Sequence, residues 1–153
     1  MEYPKFKNEY GIPGIELLPH RPPFLFVDTL IAADDTGALA EYTYTTEKND
    51  FFRGHFPDFP IVPGVVLVES MAQAAGAGLV ATGLIGGEDK KASFILAAVE
   101  NARFKEPVRP GDKLVTVAKI IKIRKPLVSF ELQGYVNDKP ACSCSVKCML
   151  GEK

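Results

Sequence analysis

The stretch Gly54–Gln73, GHFPDFPIVPGVVLVESMAQ, decides how the chain is read. It sets His55 in a loop stiffened by Pro57, Pro60 and Pro63, passes through Gly64, and then turns apolar. From Val65 to Ile85 every residue is apolar or glycine except Glu69, Ser70, Gln73 and Thr82. Pro63-Gly64 in front and Gly83, Gly86 and Gly87 behind bracket a helix over 65–83. Its apolar residues fall on nearly all faces, which predicts a buried core helix rather than an amphipathic surface one. Glycine inside a helix is unfavourable by about 1 kcal/mol, so Gly76 and Gly78 predict close packing against a neighbour. Glu69 stands out, because an unpaired buried charge is expensive.

Outward from that helix the pattern is strands. Residues 1–17 read as an extended lead-in broken by Pro4 and Pro13. After the turn at Pro22-Pro23, a strand is expected from Phe24 to Ala33, a turn at 34–37, and a second strand from Ala38 to Thr46 with Ala40, Tyr42 and Tyr44 on one face. The loop 47–64 places an extended residue before each proline, and Phe51, Phe52, Phe56 and Phe59 are expected to pin it to the body. Beyond the helix, a polar loop (GGEDKKA, 86–92) leads to strands at 93–104, 113–124, 127–136 and 141–150. The turns between them fall at 105–112, Lys125-Pro126 and Asn137-Asp138. Val128, Phe130 and Leu132 alternate with polar neighbours, as a half-buried strand requires.

Two strands, one buried helix and then four strands joined by short turns imply an antiparallel sheet. A single helix that is apolar all round needs that sheet to curl over it, which gives an α+β hot-dog arrangement. The expectation is one domain over 1–153, with a dimer covering whatever apolar face the sheet leaves open.

Bulk composition sets limits. The chain is 46% hydrophobic and 24% charged with a net charge of −1, so no global field draws it to nucleic acid or to an anionic membrane. The N-terminus has no apolar signal segment, and three cysteines fit a reducing compartment, so the expected location is cytoplasmic. The run from Val65 to Ile85 is long enough to span a bilayer, but Glu69, Gln73 and three glycines interrupt it and clear basic flanks are lacking, so no membrane span is expected. Two histidines without metal-ligand spacing, and no glycine-rich nucleotide motif or G-x-S-x-G, predict no metal and no cofactor.

The chemistry gathers in the opening stretch. Histidine is the commonest general base, and desolvation of Glu69 on the second helical turn moves its pKa toward proton donation. Gln73, one turn further on, lies on the same face and can orient the carboxylate. The helix start at Gly64-Val65 offers unpaired N–H groups and the positive end of the dipole, suited to a developing enolate oxygen. Gly64 would let a substrate approach that backbone. Base, acid and oxyanion donor are the parts needed to remove water from a β-hydroxy carbonyl compound. On their own these residues also fit a structural histidine in a loop and a buried, satisfied glutamate.

GHFPDFPIVPGVVLVESMAQ resembles the active-site signature GHFPxxPxxPGVLxxEAMAQ of (3R)-hydroxyacyl-[acyl carrier protein] dehydratases of the FabZ type. LPHRPPFLFVD (18–28) is similar to that family's LPHRxPFLLVD, and ARFKEPVRPGD (102–112) to its RFxxPVxPGD. The resemblance implies a hot-dog fold, dehydration of a 3-hydroxyacyl thioester to the trans-2-enoyl thioester, and acyl carrier protein as partner. It places the catalytic histidine on His55, the catalytic acid on Glu69 and the carbonyl-holding backbone on Gly64-Val65. It also implies a pocket at a homodimer interface with the two catalytic groups facing it from different subunits, and assembly into trimers of dimers. Ser70 stands where alanine is usual, Thr29 where arginine is common, Val62 where methionine or phenylalanine is common, and Glu100 where aspartate is frequent.

His20 is read as structural. Cys142, Cys144 and Cys148 share one strand face with Val146 and Leu150, as small buried hydrophobes. Arg103 and Lys105, with Lys119, Lys122, Arg124 and Lys125, fit either carrier-protein docking or solvated strand faces. The alternatives to a dehydratase are a hot-dog thioesterase and a non-catalytic acyl-binding subunit.

Overall fold

The computed structural model describes residues 1–85 and 93–151. Seven strands form one antiparallel sheet: β1 (Asn8–Pro13), β2 (Thr29–Asp34), β3 (Gly37–Thr43), β4 (Ser93–Phe104), β5 (Lys113–Arg124), β6 (Leu127–Val136) and β7 (Lys139–Gly151). Their order across the sheet is β1-β2-β3-β5-β6-β7-β4. After β3 the chain crosses through the long helix α2 (Gly64–Ala81) and lands in β4 at the far edge. β5 then returns to pair with β3, and two hairpins fill the gap back to β4. The β6–β7 turn rests on Asn137 and Asp138, whose φ of 52° and 63° are tolerated best by these residue types and glycine.

α2 lies against the inner face of this sheet and is buried on nearly every side from Leu67 to Leu79. Ala38, Ala40, Leu114, Ala118, Val128, Phe130, Cys142 and Val146 line that face. The glycines record how close the layers are. A Cβ at Gly78 would sit 2.5 Å from the Cβ of Ala38 on β3, and one at Gly76 would sit 2.8 Å from the Phe94 ring on β4. The length and composition of α2 would let it cross a membrane, yet 67% of it is buried in the fold, as a core helix is.

The antiparallel sheet and central helix answer the sequence expectation, with differences at the margins. α2 ends at Ala81, two residues early, where Thr82 Oγ1 bonds Gly78 O and Gly83 turns to a φ of 75°. The loop 86–92, with Gly86 and Gly87, lies outside the described residues. The lead-in is not all coil, since β1 pairs with β2 and a one-turn helix α1 (Gly14–Leu17) follows it. The expected strand from Phe24 begins only at Thr29, because the backbone of 24–26 is bonded to side chains of α2 instead of to a strand. In the aromatic loop, Phe52 is buried and Phe51 half-buried, around a 3-10 turn at Asp50–Arg53. Phe56 and Phe59 do not pin the loop: both are exposed, Phe59 beneath the Arg109 guanidinium and Phe56 stacked on the His55 ring.

Candidate active site

Glu69 occupies the second turn of α2 and is mostly withdrawn from solvent. Gln73, one turn on and 2% exposed, holds it. The Gln73 Nε2 donates to Glu69 Oε2 at 2.8 Å and to Phe24 O at 3.0 Å, while its Oε1 accepts from Phe26 N–H at 2.7 Å. Every amide hydrogen and the carbonyl are engaged, so the orientation is determined: a flipped amide would set NH2 against an N–H. Ser70 Oγ donates to Phe26 O at 2.8 Å and completes the clamp between α2 and the 24–26 segment. Burial pushes the Glu69 pKa up, and the bond from Gln73 offsets part of that rise.

His55 sits in a loop tied at several points. Its N–H donates to Phe51 O and its carbonyl accepts from Ile61 N–H, both at 2.9 Å, while Val62 N–H donates to Val108 O at 2.7 Å. The His55 Nδ1 lies 3.1 Å from Ile61 O. A carbonyl can only accept, so Nδ1 carries the hydrogen and the neutral ring presents its lone pair at Nε2. That is the tautomer a general base needs, set by the loop itself.

At the front of α2, Pro63 O accepts from the N–H groups of Val66 and Leu67. The N–H groups of Gly64 and Val65 make no hydrogen bond among the described residues, and Val65 is 79% exposed. The helix therefore presents two free donors and its positive end to solvent. Sequence reasoning took Gly64 as room for a substrate; the structure gives it a resident neighbour as well. A Cβ there would lie 2.9 Å from the ring of Phe104, the half-exposed last residue of β4. Phe104 thus packs beside the helix start; it lies within ARFKEPVRPGD, a stretch read for its resemblance and not assigned to the site.

His20 is the second residue that the sequence reading did not assign to the site. Its Nε2 lies 3.6 Å from Glu69 Oε2, and burial lowers its pKa. It falls inside LPHRPPFLFVD, the same stretch whose backbone Gln73 holds, which was the available clue. No hydrogen bond or ion pair joins His55 to Glu69 among the described residues, so the expected pair is not bonded within one chain.

Arg103 projects from the outer sheet face, opposite Ser143 on β7 and beside Asn101, Lys119, Glu131 and Gln133. Lys105 is exposed just beyond β4, where its N–H bonds Ala141 O. Both therefore lie off the inner face that holds Glu69. Cys142, Cys144 and Cys148 are buried thiols in the core. Burial, together with the charge of Glu69, pushes Cys148 up to about 11.

The sequence model of the FabA-like domain family matches residues 18–145. The 3-hydroxyacyl-[acyl-carrier-protein] dehydratase FabZ of Coxiella burnetii is 40% identical over 134 residues, covering 88% of this chain and 94% of its own. The protein of the same name from Polynucleobacter asymbioticus is 36% identical over 139 residues, 91% of each chain. In fold, the dehydratase heterocomplex ApeI:P of Xenorhabdus doucetiae superposes with a TM-score of 0.75 over 93% of both chains at 18% identity. The PaaI protein of E. coli superposes at 0.59, over 78% of this chain and 80% of its own, also at 18% identity.

Proposed function

The chain belongs to the FabA-like domain family, and from that premise we propose that it removes water from (3R)-hydroxyacyl-acyl carrier protein to give the trans-2-enoyl thioester of fatty-acid synthesis. The observation that carries the residue roles is the Gln73 clamp. A half-buried carboxylate with a raised pKa is aimed by an amide whose every group is engaged, one turn from a helix start with two free N–H donors. His55 Nε2 takes the α-proton, and the electrons pass into the thioester carbonyl. The Gly64 and Val65 N–H groups hold the enolate oxygen. Collapse of the enolate expels the β-hydroxyl as Glu69 protonates it, leaving water, the enoyl thioester, an imidazolium and a carboxylate. Proton return from His55 to Glu69 through solvent resets the site, and no cofactor enters the balance.

Because His55 and Glu69 are not bonded within one chain, His55 is taken to work with Glu69 of the partner subunit in a homodimer, with trimers of dimers as the larger assembly. Carrier docking is assigned to Arg103 and Lys105. Reversing either charge is expected to raise KM for the carrier-bound substrate and spare a coenzyme A thioester; equal effects on both would defeat the assignment. Membership of a family whose relatives act in this chemistry supports a cytoplasmic location.

The test is product analysis with a 3-hydroxyacyl carrier-protein series. The expected product is the enoyl thioester, seen by its ultraviolet absorbance, and general acid–base loss of about 10²–10⁴-fold in kcat is expected in His55→Ala and in Glu69→Ala. Full activity in both folded variants would sink the roles. Release of free thiol would identify a thioesterase instead.

A further inference from the structure

We propose that His20 is a positioning residue which, with Gln73, occupies Glu69 Oε2 and so directs the acid proton to Oε1. The proposal rests on the dehydratase reading and deepens it. Two groups converge on the same carboxylate oxygen: Gln73 Nε2 at 2.8 Å and His20 Nε2 at 3.6 Å. The second distance is too long for a hydrogen bond and short enough for an N–H dipole to act on the oxygen.

The tautomer of His20 follows from its two ends. Its Nδ1 is buried with no hydrogen-bond partner among the described residues. A hydrogen on Nδ1 would leave a buried donor unpaired and turn the Nε2 lone pair toward the carboxylate lone pairs, so both ends would be unfavourable. A hydrogen on Nε2 leaves Nδ1 as an unpaired acceptor but relieves the clash of lone pairs and points a donor at Oε2. Gln73 NH2 can also only donate. With both neighbours of Oε2 donating, a proton on that oxygen would face two N–H groups. Oε1 has no hydrogen-bond partner among the described residues and is the oxygen left to carry the proton.

The ring is held for this task. Arg21 folds back so that Nη1 donates to Leu18 O at 3.0 Å and to His20 O at 2.7 Å, which fixes the bend carrying His20 next to the fully buried Leu18. The other titratable group facing Glu69 is the Cys148 thiol of β7, which burial keeps neutral through the working range.

The test compares His20→Leu and His20→Gln with the wild type. Glu69 carboxyl titration is followed by carbon-13 NMR without substrate, alongside kcat, KM and the pH profile of kcat. A donor to a carboxylate favours its charged form, so removing the donor in His20→Leu is expected to move the Glu69 midpoint and the basic limb of kcat upward by about half a unit. It is also expected to lower kcat about 10-fold with KM within about twofold, and His20→Gln is expected to restore both, as loss and return of a positioning contact would. An unmoved Glu69 midpoint in folded His20→Leu overturns the proposal, whatever happens to the rate. A wild type that titrates as expected but forms no enoyl product defeats the dehydratase reading and leaves the His20 contact standing.

Discussion

Burial raises the Glu69 pKa, and the bond from Gln73 offsets only part of the rise, which gives this residue a signed effect on stability. A carboxyl whose folded pKa exceeds its unfolded value binds its proton more tightly in the folded state. The stability it contributes is present at low pH and is lost as pH rises through the folded pKa, so above that pKa the wild type carries a desolvated carboxylate. Glu69→Gln is expected to lose activity and yet melt about 2–4 °C higher at pH 8, a shift typical of relieving such a functional-site cost in a chain of this size. The difference should vanish below the ordinary glutamate value of 4.5, where both side chains are neutral. Thermal scans from pH 4 to 8 measure it, and a Gln variant less stable than wild type at pH 8 contradicts the sign. Residue identities alone exposed Glu69, because a carboxylate in an apolar run is conspicuous. His20 was not legible in the same way: its role depends on a bend that sets it beside α2, and nothing in local sequence specifies that approach.

Elements were legible in proportion to how many neighbours bury them. α2 and β5, β6 and β7 pack on at least one full face, so their hydrophobic periods are strong and their bounds fell within about two residues, the scatter expected of helix and strand ends. β1 pairs on one side only and is mostly exposed, and its alternation is just two residues long, Tyr10 and Ile12, too short to stand out from a lead-in broken by prolines. The 24–26 segment reads as strand because it is apolar throughout, yet only Phe26 is fully buried and the backbone bonds go to Gln73 and Ser70. Helix packing separates two glycines that look alike in sequence. At Gly78 an added methyl meets Ala38 Cβ, which is fixed to the backbone of β3; at Gly64 it meets the ring of Phe104, a half-exposed side chain free to swing. Gly78→Ala is therefore expected to lose about 1–3 kcal/mol in denaturant titrations through overpacking. Gly64→Ala is expected to leave stability nearly unchanged and raise KM. Equal losses of stability would show that the Phe104 ring is not free.

At the scale of the whole molecule, β4 is an edge strand of twelve residues with one side unpaired, and Ile95 and Val99 on it are 60% and 45% exposed. A long edge with exposed apolar side chains invites pairing with another chain. A second copy meeting β4 edge to edge would cover it and bring two helix starts to one interface. Lysine at both Ile95 and Val99 is expected to yield a monomer in sedimentation experiments with activity reduced at least about 10-fold, since buried interface charges are strongly unfavourable. A fully active monomer would refute the shared-site reading. Sequence reasoning anticipated a dimer from the surplus apolar surface but could not say that β4 forms one of the two sheet edges, because that depends on β4 landing beside β7.

The Gln73 clamp also sets an order of events. It fastens a stretch of chain near residue 26 to a helix nearly fifty positions later, so the acid, the helix and that stretch loosen together or not at all. Warming that swings the Gln73 amide out of place is expected to free the Phe26 amide and the carboxylate together, ahead of the sheet. The exchange of that single amide hydrogen with solvent therefore keeps time for the site: it reports whether the acid is in place when no substrate is there to ask.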